Sequence, residues 1–139
     1  MTSAAPSFSY PVRVYWEDTD AGGLVYYANY LKFFERARTE WLRSLGVGQQ
    51  RLRDEQGLMM VVADTSVRYL QPARLDDQLD ITVALAAAAR ATLTLAQSAL
   101  RGATILADSR ITLACVAAGS LRPRRLPHAI LDALASSTS

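Results

Sequence analysis

Between Tyr30 and Leu45 an apolar stripe recurs at helical spacing, and it is too broad for a helix that merely rests on a surface. Tyr30, Phe33, Phe34, Ala37, Trp41 and Leu45 fall on one side, and Leu31 and Leu42 widen the arc. At about 100° per residue the arc takes in about half the circumference. Such a helix needs cover on several sides, as a curled sheet would give. Gly46 and Gly48 mark its end, because glycine enters the left-handed C′ conformation without a Cβ penalty. Glu40 stands four residues from Arg36 and three from Arg43, spacings that pair charges along a helix.

The rest of the chain supplies strands. Phe8 to Glu17 (FSYPVRVYWE) is aromatic and β-branched, with Val12, Val14 and Trp16 on one face. Gln49 to Gln56 is polar and fits a short second helical segment. Leu58 to Leu70 reads as a long strand stopped by Gln71-Pro72-Ala73-Arg74, and Leu75-Asp76-Asp77 as a turn. Leu79, Ile81, Val83 and Leu85 alternate with Asp80, Thr82 and Ala84, which is strand periodicity. The alanine-rich run Ala84 to Ala91 favours helix on propensity. Thr92 and Thr94 alternating with Leu93 and Leu95 favour instead two strands turning near Ala88 to Arg90. Ile105 to Ala117 is the last long strand, with Ile111, Leu113 and Cys115 on one face. His128 to Ala135 fits a closing helix, Met1 to Ser7 a frayed start and Ser136 to Ser139 a tail. The order is strand, helix, then four strands with no helix between them. That predicts an α+β domain, an antiparallel sheet packed on one helix, spanning 1–139 with its core over about 8–135.

A chain of 139 residues, half of them hydrophobic, has the size and composition of one globular domain. Net charge of +2 gives no reason to expect nucleic acid as partner, although a local basic cluster suits phosphates. Cys115, the lone cysteine, rules out an intrachain disulfide and fits a reducing compartment. No run approaches the ~18 apolar residues of a membrane span, and Met1 to Ser9 lacks the layout of a secretion signal. The expected compartment is the cytoplasm, with no stable membrane insertion.

Chemistry concentrates where the first strand gives way to the helix, at Asp18-Thr19-Asp20-Ala21-Gly22-Gly23. Aspartates there serve turns and caps by default. The sharper reading is a carboxylate facing a cleft, acting as general base on water or attacking a carbonyl itself. Gly22 and Gly23 leave room for a substrate beside the backbone, and the unpaired amides of the helix's first turn are donors for an oxyanion. Together these describe an acyl-transfer site. Asp76 and Asp77 read as turn residues. Arg122, Arg124 and Arg125 in LRPRRLP, and Arg90 with a weaker claim, have the charge to meet phosphates. His128, the lone histidine, lacks the Gly-x-Ser-x-Gly elbow of a serine hydrolase, and one His with one Cys makes a poor zinc site.

The stretch VYWEDTDAGGLVYYANYLKFFERARTEWLR (Val14 to Arg43) is similar to the signature of the hotdog-fold acyl-CoA thioesterases, the 4-hydroxybenzoyl-CoA thioesterase superfamily. It looks closest to the Tol-Pal-associated branch, patterned V-Y-x-E-D-T-D-x-x-G-x-V-Y-H-A-x-Y and then E-R-A-R-T-E. YLQPARLDDQLDI and LRPRRLP resemble that branch's P-A-R-L-D-D and K-P-R-x-L-P segments, in the same order. The resemblance implies a five- or six-stranded antiparallel sheet wrapped around the helix. It implies subunits paired edge to edge with sites at their interface, and homodimers joining into homotetramers. Its catalytic carboxylate corresponds to Asp20, and the donor to the thioester carbonyl is the backbone N–H of Tyr27. Gly23, Val25, Asn29 and Glu35 are expected near the substrate, with Arg90 and Arg124 toward CoA. One departure stands out: the branch carries His where this chain has Tyr27. The expected reaction is hydrolysis of an acyl-CoA, with acyl carrier protein a further acyl donor, CoA arriving as part of the substrate and no cofactor. The rival readings are a non-catalytic binding module for acyl-CoA or acyl carrier protein, and a dehydratase on the same scaffold.

Overall fold

The computed structural model describes residues 8–137. The expected frayed start, 1–7, and the last two tail residues lie outside them. The elements run β1 (Phe8–Arg13), α1 (Asn29–Ser44), α2 (Gln49–Gln56), β2 (Leu58–Tyr69), β3 (Gln78–Ala88), β4 (Thr92–Arg101), β5 (Thr104–Ala117) and α3 (His128–Ser137). The strands form a five-stranded antiparallel sheet in the order β1-β3-β4-β5-β2, so β1 and β2 are its edges. This is the α+β hotdog architecture, with five strands.

Helix α1 is the spine of the core. Phe33, Phe34 and Ala37 are fully enclosed, and Tyr30, Trp41 and Leu42 nearly so. They meet Leu79, Ile81 and Val83 of β3, Leu93, Leu95 and Ala99 of β4, and Ile111, Leu113 and Cys115 of β5 in one cluster. Burying each phenylalanine contributes about 2–3 kcal/mol. The stripe is narrower at Leu31, which is exposed. Arg38 instead lies within it, 7% exposed, its guanidinium donating to Gln97 Oε1 at 3.0 Å. Gln97, 1% exposed on β4, donates in turn to the Phe34 carbonyl at 3.0 Å. On the helix surface Glu40 pairs with Arg43, whereas Arg36 lies over the Phe33 ring.

The alanine run is strand. Ala84 pairs with Ala96 and Ala88 with Leu93, across an irregularity between Leu85 and Ala87. Sheet hydrogen bonds on β3 override helix propensity there. The first strand is shorter than its composition suggests and ends at Arg13 rather than Glu17. The buried Asp18 carboxylate accepts the Tyr15 N–H at 2.9 Å and turns the chain into a single 3-10 turn, Trp16–Asp18. Val12 and Val14 face the core, but Trp16 is thrown outward, 75% exposed. Among the described residues no helix is long and apolar enough to cross a membrane.

Candidate active site

The segment between β1 and α1 folds back on the loop before β3. Val25 N–H donates to the Ala73 carbonyl, Leu24 bridges Arg74, and Leu75 N–H donates to the Gly23 carbonyl. The two aspartates divide the work of this turn. Asp18 is internal: besides its carboxylate bond, its carbonyl accepts the Tyr26 N–H and the side-chain amide of buried Asn29 at 2.8 Å. Asp20 is solvent-accessible. Its Oδ1 accepts the Gly22 and Leu24 N–H groups at 2.8 and 3.2 Å, which fixes the carboxylate and leaves Oδ2 unpartnered among the described residues.

Asp20 opens onto a cavity of about 480 Å³, lined also by Leu24, Val25, Tyr26, Tyr27, Tyr30, Tyr69, Leu70, Gln71 and Pro72. The aromatic rings form a continuous wall. Tyr26 and Tyr27 lie 4.9 Å apart, Tyr69 stands edge-on to Tyr27 at 6.1 Å, and Tyr30 to Tyr69 at 5.4 Å. Burial pushes the phenols of Tyr30 and Tyr69 up, and a hydrogen bond with Tyr27 raises that of Tyr26. All three are therefore neutral near pH 7. The Tyr30 hydroxyl accepts the Ala73 N–H, and the Tyr69 hydroxyl donates to the Tyr27 carbonyl, both at 3.0 Å.

The free amides are not those of the helix's first turn. Asn29, Tyr30 and Leu31 donate to the carbonyls of Tyr26, Tyr27 and Ala28 in tight turns. Just ahead of α1 the Tyr27 and Ala28 N–H groups have no acceptor among the described residues. Asp20 and Tyr27, the latter with an unpaired amide, thus line one water-accessible cavity, and a carboxylate and a free amide are components of a site for attack on a polarised carbonyl.

Of the residues expected here, Asp20, Val25 and Tyr27 line the cavity. Asn29 does not line it and is instead a buried tie to Asp18. Gly23 serves conformation: its φ is +79°, and an added Cβ would meet nothing within 4 Å. Glu35 is exposed farther along α1, close enough to buried Arg38 to counter the lowering of its pKa by desolvation. Arg90 and Arg124 do come together, with Arg125, around a second cavity of about 360 Å³. There Leu126 N–H donates to the Arg90 carbonyl and Arg124 N–H to that of Cys115. This basic cluster lies at the opposite end of the sheet: β3 leaves the Asp20 turn at Gln78 and reaches the cluster after Ala88, about 30 Å along the strand. Apolar periodicity marks Tyr30 as core and Tyr69 and Leu70 as the end of a strand. Their alternation gives no sign that this strand end closes over the turn before α1.

Comparison with known proteins identifies the family. The Thioesterase-like superfamily matches residues 14–134. The chain is 45% identical over 123 residues to acyl-CoA thioesterase YbgC of Haemophilus influenzae, covering 88% of this chain and 90% of that protein. It is 42% identical over 125 residues to acyl-CoA thioester hydrolase YbgC of Escherichia coli, covering 89% and 92%. The crystal structure of a probable thioesterase from Bartonella henselae superposes with a TM-score of 0.81 at 34% identity, covering 86% of this chain and 98% of that one.

Proposed function

The chain belongs to the thioesterase-like superfamily and is an acyl-CoA thioesterase, and on that premise we propose that Asp20 and the Tyr27 amide carry the reaction. Water and an acyl-CoA give a carboxylic acid and free CoA. In the general-base route Asp20 takes a proton from water as its oxygen bonds the thioester carbon; the C–S bond then breaks and the thiolate leaves as the CoA thiol after protonation. In the nucleophilic route an Asp20 oxygen attacks the carbonyl carbon, and the C–S bond breaks to release the CoA thiolate, which is protonated to the thiol. Water then cleaves the mixed anhydride to the carboxylic acid and free Asp20. Either route builds negative charge on the carbonyl oxygen, for which the Tyr27 N–H is a fixed donor. CoA enters as substrate, and neither route uses a metal or redox cofactor. An acyl group borne by acyl carrier protein offers the same bond. The observation that supports this reading is that Asp20 and Tyr27, whose amide is unpaired, line one cavity.

The working unit is a homodimer, and dimers associate into tetramers. Strand β2 is a sheet edge whose middle is exposed, Val62 to 53%, an edge that invites pairing. A two-fold axis through an antiparallel β2–β2 pairing exchanges the ends of the two sheets. It brings the partner's basic end toward the Asp20 turn. Within one subunit Arg90 and Arg124 are too far from Asp20 to hold the phosphates of the same CoA. Across the dimer they suit that role. The compartment is the cytoplasm, where CoA thioesters are made and used, and the resemblance to the Tol-Pal-associated branch supports an association with that system. Incubation with a panel of acyl-CoAs and a thiol-detecting reagent tests the activity. Release of thiol above the uncatalysed rate is expected, and binding without release from any acyl-CoA would leave a binding module instead.

A further inference from the structure

Resting on that reading of the Tyr27 amide, we infer that Tyr69 is a positioning residue, whose hydroxyl holds the Tyr27–Ala28 peptide and thereby fixes the oxyanion donor. The Tyr27 N–H belongs to the Tyr26–Tyr27 peptide plane, and where that donor sits depends also on how firmly the Tyr27–Ala28 peptide holds the Cα between them. On one side the Tyr26 carbonyl accepts the Asn29 N–H at 2.8 Å, so the Tyr26–Tyr27 peptide is secured by the helix. On the other side the helix's own hold is poor, since the Tyr30 N–H reaches the Tyr27 carbonyl only at 3.4 Å. The Tyr69 hydroxyl, at 3.0 Å, is the closer donor to that oxygen. It comes from the last residue of β2, a different element.

The strand end is itself held firmly. Tyr69 pairs with Ala107, and the next two amides, Leu70 and Gln71, both donate to the Leu106 carbonyl. The ring is seated edge-on against Tyr27 and Tyr30. A bond from an anchored ring to a loosely held carbonyl restrains the peptide that the helix leaves free. Ordinary folding does not require it, because Tyr69 is half exposed and a phenylalanine ring fills the same place. Its effect falls on the donor, and a donor displaced by a fraction of an ångström stabilises the transition state less.

Tyr69→Phe tests this. The ring and cavity wall remain, so KM should stay within twofold, while kcat should fall about tenfold. An unchanged kcat, or a rise in KM alone, would overturn the inference. Two non-hydrolysable probes remove any dependence on turnover: a CoA thioether without a carbonyl, and the ketone in which a methylene replaces the sulfur and the carbonyl remains. Wild-type protein should bind the ketone more tightly than the thioether, and Tyr69→Phe should lose most of that preference while binding the thioether equally. Equal ketone preference in the two proteins overturns the role of Tyr69. Wild-type protein showing no ketone preference overturns the oxyanion reading of Tyr27 itself, and the role of Tyr69 with it. Tyr69→Leu, which removes the ring, should raise KM as well, separating wall from clamp.

Discussion

Replacing Gln97 by leucine should expose how the core tolerates a buried cation. Gln97 accepts from the Arg38 guanidinium at 3.0 Å and donates to the Phe34 carbonyl at 3.0 Å and the Thr82 carbonyl at 3.4 Å. Both side chains are buried. A hydrogen bond to a charged group is worth about 1.5–3 kcal/mol, and stranding the other partner as an unpaired buried charge brings the loss to about 3–5 kcal/mol. Glu35 lies near Arg38 and offsets part of this as the side chain shifts toward it, so Gln97→Leu should cost about 3 kcal/mol. The double variant Arg38→Met/Gln97→Leu removes charge and partner together and should cost about 1 kcal/mol. At about 4 °C per kcal/mol for a domain of this size, the double variant should melt about 8 °C above the single one. Circular dichroism melts at one protein concentration measure the difference, since association shifts the midpoint. A double variant melting at or below Gln97→Leu would refute this account of the core.

Two further outcomes follow from the charged groups. Burial pushes the Asp77 carboxyl up, but the Arg74 N–H at 2.9 Å and the Arg101 guanidinium at 2.7 Å outweigh it and hold it below the usual carboxylate range. Its contribution is therefore complete above about pH 4 and is lost as pH falls through the folded value. Asp77→Asn should destabilise by about 1 kcal/mol at pH 7, allowing for solvent screening. The gap from wild type in urea midpoints should close in acid, and a gap that widens there would contradict the sign. Arg124→Glu should raise KM for an acyl-CoA about tenfold yet leave an N-acetylcysteamine thioester, which has no phosphates, unaffected. Equal effects on both substrates would remove the cluster at Arg90 and Arg124 from CoA binding.

Much of this architecture was legible because it follows from two periodicities. The stripe from Tyr30 to Leu42 is the buried face of α1, and the alternating Leu and Thr of 92–95 overrule alanine's helix propensity in the preceding run. What was not legible depends on long-range closure. Trp16 continues the alternation of Val12 and Val14, yet the Asp18 side chain turns the chain before that pattern can continue. Arg38 occupies the apolar stripe one turn after Phe34, but charge argues for exposure until Gln97, fifty-nine positions away, supplies its acceptor. Asp18 and Asp20 are chemically alike in the sequence. Only the fold makes one a buried tie and leaves the other with an unpartnered oxygen. Likewise, first-turn amides are free in an ideal helix, whereas here tight turns occupy them and leave Tyr27 and Ala28 instead.

The central claim therefore rests on a contrast between two neighbouring carboxylates, and steady-state hydrolysis of one acyl-CoA by two variants measures it. Asp20→Asn should lower kcat about a thousandfold while a thioether analogue of CoA binds within a few fold of wild type. Asp18→Asn, which keeps an acceptor for the Tyr15 N–H, should stay within tenfold of wild-type kcat. Near-normal turnover by Asp20→Asn would contradict the account.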